Sequence, residues 1–320
     1  MSERQLMQTV AGEVRAYFAP VTRSSSTATV FDPSGAGFDL SSPPSPWIDL
    51  GWIRNFKRTA SEALQPLRMG KTGIAQMQLR TLESARLEFD FCDWGKLQML
   101  LASGSQHYNI LATAASGAQS ACGGTPVAAA AILAGSTASS LLLSTSALSG
   151  FAVGDLVAAD VDYSAQTGYV GTGIAGGYVA DPNDVQRDVN YVRRATLNVG
   201  RVTAVTATAL TLEQPLPGGA PLTGAGVQKV TGYVDREGPN YSQEWSALFV
   251  PTPFAGGRIC YYYPLLQTAA AAAETPMAPG DAALTALHAS FIALPVDDTV
   301  DSQQAVSYRY FLPLSGSPVY

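Results

Sequence analysis

Residues 246–274 read SALFVPTPFAGGRICYYYPLLQTAAAAAE, and residues 284–298 and 305–313 follow as LTALHASFIALPVDD and AVSYRYFLP. Each is an apolar, aromatic-rich run broken by Pro, Gly or a pair of Asp, which is the grammar of extended strands. Strands of this composition must bury a face, so this third of the chain predicts a sheet covered by other elements. One segment pulls two ways. Ala269–Ala273 favours helix on intrinsic propensity, whereas Tyr261–Tyr263 and Pro264 favour extended chain just before it; on the residues alone a long strand and a helix both stay open.

Upstream, residues 73–91 (GIAQMQLRTLESARLEFDF) hold two alternating stretches. Ile74, Met77 and Leu79 approximate one apolar face; Ala85, Leu87, Phe89 and Phe91 keep strict period two, with Arg86, Glu88 and Asp90 opposite, so a strand pair is expected. The spacing turns helical in residues 92–105 (CDWGKLQMLLASGS), with Asp93 as N-cap, Trp94, Leu97, Leu100 and Leu101 as a stripe, and Gly104 as the stop. Residues 14–31 and 47–60 mix β-branched and aromatic residues around Pro20 and Gly51, again strand-like, and a Pro/Gly/Ser loop separates them. After Leu111 the chain becomes rich in small residues. From Gly150 onward, GFAVGDLVAAD and later GRVTAVTATALTLEQPLP have the rhythm of a small β-barrel, with Gly200 between two strands and a turn near Ala207. The expected domains are therefore 1–114 and 241–320 as one discontinuous unit, with 115–240 inserted as an all-β module.

Composition excludes several function classes. Charged residues are 14% of the chain, against about a quarter in ordinary soluble domains, so much of the surface is suited to subunit contacts. Residues 1–115, 116–240 and 241–320 carry 11, 6 and 2 Lys/Arg against 10, 9 and 6 Asp/Glu, and none forms the basic stripe that nucleic-acid binding needs. Cys92, Cys122 and Cys260 are odd in number and far apart, which argues against a disulfide framework or zinc site. His107 and His288 lie in no metal-ligand pattern, and no G-x-S-x-G string occurs. His107 reads as a helix-end contact and His288 as a strand residue sharing a face with Ser290 and Ile292. Gly171, Gly173 and Gly176 have dinucleotide-fingerprint spacing, but the Pro182-containing stretch after them reads as loop. Asp297 and Asp298 read as a turn after Pro295, because paired glycosidase carboxylates must converge at about 5 to 9.5 Å and neighbours on an extended chain point apart. Arg193 and Arg194 read as a solvated strand or a subunit contact. The opening residues lack the apolar core of a secretion signal and no run approaches the length of a membrane span, so synthesis and assembly in the cytoplasm are expected.

Taken in order, WIDLGWIRNF (47–56), ARLEFDF (85–91), DWGKLQMLLASGS with GSQHYNIL (93–111), the run QEWSALFVPTPFAGGRICYYYPLL (243–266) and SFIALPVDDTVDSQQAVSYRYFLP (290–313) resemble bacteriophage tail tube proteins. The resemblance covers about Val14 to Leu111 and Tyr241 to Pro313 and departs from a minimal tube subunit by the insertion. It implies a mainly β fold, a tail-tube-type sandwich or barrel with one flanking helix, carrying an inserted small all-β barrel. It also implies a structural virion protein with no enzymatic role and no cofactor. Such subunits close into hexameric rings that stack into a conduit for DNA ejection, with terminator, tape measure and distal tail proteins as partners, only transient contact with DNA and none with a membrane. On this reading the polar faces of the strands line the channel, and Gln78, Glu83, Glu88 and Asp90 are the candidate lumen residues, with Arg80 and Arg86 interleaved. A tail terminator or hub of the same fold is the alternative inside the virion. A secreted carbohydrate-active or adhesion β-sandwich protein is the alternative of another class, and the missing signal and convergent carboxylates count against it.

Overall fold

Period-two alternation produces β1 (Val14–Pro20), β2 (Ile48–Arg68) and β3 (Ala75–Phe91), after which the helical stripe forms α1 (Lys96–Ser103). The middle of the chain supplies β4 (Gln106–Leu111), β5 (Ala130–Ala131), β6 (Ser140–Leu142), α2 (Thr145–Leu148), β7 (Leu156–Asp160), β8 (Ile174–Ala175), β9 (Val199–Val205), β10 (Ala209–Leu212) and β11 (Gly226–Arg236). The aromatic runs of the last third become β12 (Glu244–Pro251), β13 (Gly257–Thr268), β14 (Leu287–Ala293), β15 (Val296–Asp297), β16 (Gln304–Ala305) and β17 (Tyr308–Pro313). The protein is mainly β. The computed structural model describes residues 13–21, 28–33, 39–44, 47–68, 75–112, 127–160, 174–175, 198–216, 219–236, 244–252, 257–269, 287–298 and 300–313. The chain divides into one unit of Met1–Val21, Thr27–Gly104 and Ser242–Tyr320 and another of Thr22–Ser26 and Ser105–Tyr241, so β4 goes with the middle segment.

In the first unit the strands run in the order β12-β1-β2-β3-β14-β13, all antiparallel, and β13 pairs back onto β12 to close a six-stranded barrel. Alternation aims Ala16 and Phe18, Ala85, Leu87 and Phe89, Ala247 and Phe249, and Ala289 and Phe291 at a common core, every one at most 1% exposed. Rings fill its centre. Phe249 lies 4.7 Å from Phe56, 5.5 Å from Phe89 and 5.9 Å from Phe18, and Phe89 stacks on Phe291 at 5.6 Å. The alanines between them give these rings room, which is why large and small residues alternate here. Pro264 has no N–H to give a ladder. The register between β12 and β13 slips there, from Trp245 opposite Leu266 to Ala247 opposite Tyr263, and the buried Ser246 hydroxyl donates to the Pro264 carbonyl at 2.8 Å.

Outside the barrel, Phe31, Leu40 and Trp47 and the β17 side chains build a second apolar layer. Phe31 and Trp47 pack on Tyr17, Tyr262, Leu248 and Val250, with Tyr308 and Tyr310 at the margin. Hydrogen bonds fasten the layer: Thr29 N donates to Ser246 Oγ at 2.9 Å, Tyr262 Oη to Thr29 O at 2.8 Å and Tyr17 Oη to Ser41 O at 3.0 Å.

The helix is capped differently from the sequence expectation. Gly95, not Asp93, is the N-cap, so no side chain accepts from the first-turn N–H groups there, while Gly104 is the left-handed C-cap at φ 64°. Asp93 is drawn instead against Gly51 (φ +82°), where a Cβ would come within 2.6 Å of its Oδ2. Leu97, Leu100 and Leu101 are buried as the stripe predicts, but Trp94 is 43% exposed. The strand reading of Tyr261–Thr268 holds, and Ala269 N still donates to Ser290 O at 2.8 Å; the following alanines lie outside the described residues.

The second unit has its own core of Ile132, Leu141, Leu143, Val157, Val202, Leu210, Leu212 and Val227. Its strands run β6-β10-β9-β7-β11, and the chain after β5 bonds to both ends of that path, Ile132 N to Ala225 O at 2.9 Å and Leu133 N to Leu142 O at 2.8 Å, so the sheet curls back on itself. The turn near Ala207 is present, with Ala209 N donating to Thr206 Oγ1 at 2.9 Å. Gly200 separates no strands, however. It lies within β9, where an added Cβ would come 2.9 Å from Leu212 Cδ1, so close packing and not a turn requires glycine there.

Removing the central ring tests the barrel. Phe249→Ala is expected to cost about 3–5 kcal/mol, the usual loss for a buried Phe. Urea unfolding followed by tryptophan fluorescence measures it in the first unit alone, because Trp47, Trp52, Trp94 and Trp245 all lie there. An unchanged midpoint would contradict this packing.

Candidate assembly surface

Barrel closure satisfies the backbone edges within it, so the edges left over define the surface available to other chains. β1 accompanies β2 only as far as Ile53, and β14 accompanies β3 only over Ala85–Phe91. Beyond those points β2 and β3 pair with each other, out to Arg68 opposite Ala75, and no other described strand joins them. The result is a two-stranded ribbon whose outer edges are unpaired among the described residues. Its last eight β2 residues span roughly 25 Å at about 3.3 Å each. β17 ends the sheet: it pairs with β13 on one side, and no described strand covers the other.

Where β2 parts from β1, a cleft of about 480 Å³ opens, lined by Val14, Ile53, Arg54, Phe56 and Tyr261. The cause is a bulge in β2 between Arg54 and Lys57, which puts Asn55 in the left-handed region at φ 56°. Asparagine tolerates that region better than most residues. Its Nδ2 donates to Asp90 Oδ2 at 2.6 Å, and His288 Nδ1 lies 2.8 Å from Asp90 Oδ1. Along the same outer face, Arg86 Nε reaches both Glu88 Oε1 at 3.0 Å and the buried Ser290 hydroxyl at 3.1 Å. Nearby, Arg15 pairs with Asp49 and lies 5.5 Å over the ring of Trp52, which is 37% exposed.

The four candidate lumen residues all fall on β3, but not together. Glu88 and Asp90 stand on the barrel half, half-buried and engaged by Arg86 and by Asn55 with His288. Gln78 and Glu83 stand on the ribbon half, opposite Pro66 and Glu62, and Glu83 has opposite register parity to Glu88 and Asp90; their side chains lie outside the described residues. The same holds for Arg80 and for His107, which is on β4 and not at a helix end. His288 shares its strand face with Ser290 and Ile292 as expected. The Gly171–Gly177 stretch is described only at Ile174–Ala175, and Cys122, Arg193 and Arg194 lie outside the described residues. Among the described residues no three His, Cys, Asp or Glu are grouped to hold a metal ion, and no helix is long and apolar enough to cross a membrane.

At the turn after Pro295, Asp298 is held by Tyr308 Oη at 2.7 Å and by Val300 N at 2.8 Å, and both bonds lower its pKa. Burial, aided by that bond, pushes the Tyr308 phenol up to about 12. Burial likewise raises Cys260 to about 11, Tyr263 to about 12, and Tyr262 further. The Asn55–Asp90–His288 cluster joins residues 198 positions apart, and nothing in the local pattern announces it. No protein-family model matches the chain, and no curated protein matches its sequence.

The raised groups make a signed prediction. The folded unit keeps protons that the unfolded chain releases first, so this stability is full below pH 9 and is lost as pH rises through the 9 to 12 window set by Cys260, Tyr263 and Tyr308. Urea midpoints by tryptophan fluorescence should fall steadily across it. Tyr308→Phe should flatten the fall; a variant with the parent's full slope would show that Tyr308 contributes nothing.

Proposed function

We propose that the chain is the repeating subunit of a bacteriophage tail tube, assembled in hexameric rings that stack into a conduit for DNA. The observation that carries this reading is the placement of the unpaired edges. The barrel satisfies its own strands, while the β2–β3 ribbon and β17 carry theirs outward from different parts of the unit. Two different open surfaces on one subunit suit head-to-tail contacts, which close into rings or propagate along an axis. Strand addition across subunits removes edges that would otherwise promote aggregation in a chain with 14% charged residues. The resemblance in the order of sequence motifs supports the same reading, with terminator, tape measure and distal tail proteins as neighbours in the virion.

The electrostatics of the barrel's outer face fit a wall that lets a duplex slide. Arg86 is matched by Glu88 in its own chain, and Asp90 is hydrogen-bonded by Asn55 and His288, so among the described side chains β3 and β14 present no unpaired Lys or Arg there. A wall of unpaired Lys and Arg would accumulate phosphate contacts and stall a genome. A single-ring terminator of the same fold differs only in copy number per particle.

Negative-stain microscopy of the purified chain should show rings or tubes, and a chain that stays monomeric when concentrated would overturn the reading. Replacing residues 62–83 with a short turn should keep the tryptophan-monitored unfolding midpoint and abolish stacking. Assembled tubes should retain little duplex at physiological salt; tight binding with a steep salt slope would refute the sliding wall.

A further inference from the structure

Arg58 stands on β2 opposite the core residue Leu87, on the barrel half of the strand. Its Nη2 lies 3.5 Å from Ser307 Oγ, the limit of a hydrogen bond, and its Nε is buried with no acceptor. Beside it Tyr263 is 0% exposed, and its hydroxyl makes no hydrogen bond of ordinary geometry. Burial raises that phenol's pKa, and Arg58, by its charge and by a side-chain contact, and Arg309 on β17, by its charge, oppose the rise. Neither arginine has an ion pair among the described residues. A guanidinium is charged at any physiological pH, and a half-buried one whose Nε meets no acceptor among the described residues has donor capacity left for an anion. Its fork of N–H donors matches a planar oxyanion taking two parallel bonds.

We propose that Arg58, with Ser307 and Arg309, forms a carboxylate-accepting site at the barrel rim, filled by an acidic side chain of a second copy of the chain. The assignment to a second copy rests on the assembly reading above and on charge complementarity. Residues 241–320 carry six acidic against two basic side chains, and Asp297 and Asp301 are exposed with no cationic partner among the described residues, flanking a Val300 that is 92% exposed. An isolated arginine pair lacks the extended stripe that would track a phosphate backbone, which favours carboxylate over nucleic acid.

The test uses the full chain. Under dilute conditions that keep it unassembled, acetate should raise the thermal midpoint of the first unit above that in chloride of equal ionic strength, because a ligand that binds only the folded state stabilises it. Arg58→Met should lose the acetate response, keep a midpoint in chloride at or above the parent's, and fail to assemble. Arg58→Lys, which keeps the charge without the fork, should respond several-fold more weakly and serves if the Met variant does not fold. No acetate-specific shift, or an equal shift in the Met variant, overturns the site. An Arg58-dependent shift with duplex oligonucleotide but not acetate makes it a phosphate site and overturns the carboxylate assignment. Normal assembly by an acetate-blind Met variant makes the natural ligand a free carboxylate and overturns the second-copy source. If the parent never assembles yet shows an Arg58-dependent acetate shift, the site stands and the tube reading falls.

Discussion

The pairing of β13 back onto β12 is the constraint on which the first unit depends. It converts an open sheet into a closed barrel, so six strands bury their backbone groups in one another and a set of interlocked rings around Phe249 fills the interior. Closure also decides what is left over. With the interior edges consumed, the unpaired hydrogen-bonding capacity of the described strands is concentrated on the ribbon and on β17, and assembly has to be read from there.

Two irregularities let the barrel close with this sequence. Pro264 would interrupt a regular ladder, and a slip in register absorbs it while Ser246 takes up the Pro264 carbonyl and the Thr29 amide on the outer side. Asn55 accepts a left-handed backbone in the β2 bulge, stabilised by Asp90, and the bulge frees β2 from β1 so that it can continue as the ribbon. In both places a polar side chain meets backbone strain or a missing donor with a hydrogen bond, and both lie where one layer gives way to another.

Charge is sparse and mostly spent locally. Exposed pairs such as Arg86 with Glu88 contribute little to stability, on the order of 0–1 kcal/mol, and serve chiefly to balance a face. Arg58 differs because its Nε is buried and meets no acceptor among the described residues. The second unit has its own apolar core and return hydrogen bonds, with pairs of its own between Arg201 and Glu213 and between Lys229 and Asp155.

Local periodicity by itself determined the strands of the last third, the alternation of Ala85–Phe91, the helix with its Gly104 stop and the Thr206–Thr208 turn, because side-chain period and glycine chemistry act over a few residues. Interactions across long sequence separations were illegible there. Asp93 is a good N-cap by type but is drawn to Gly51, and Gly200 looks like a strand breaker but is a packing requirement of Leu212. Glu88 and Asp90 read only as polar-face residues and lumen candidates until Arg86, Asn55 and His288 are brought beside them. Barrel closure, the length of ribbon left outside it and the orphaned Arg58 were decided only by tertiary structure, since each depends on where one strand stops pairing with another and no single segment encodes that.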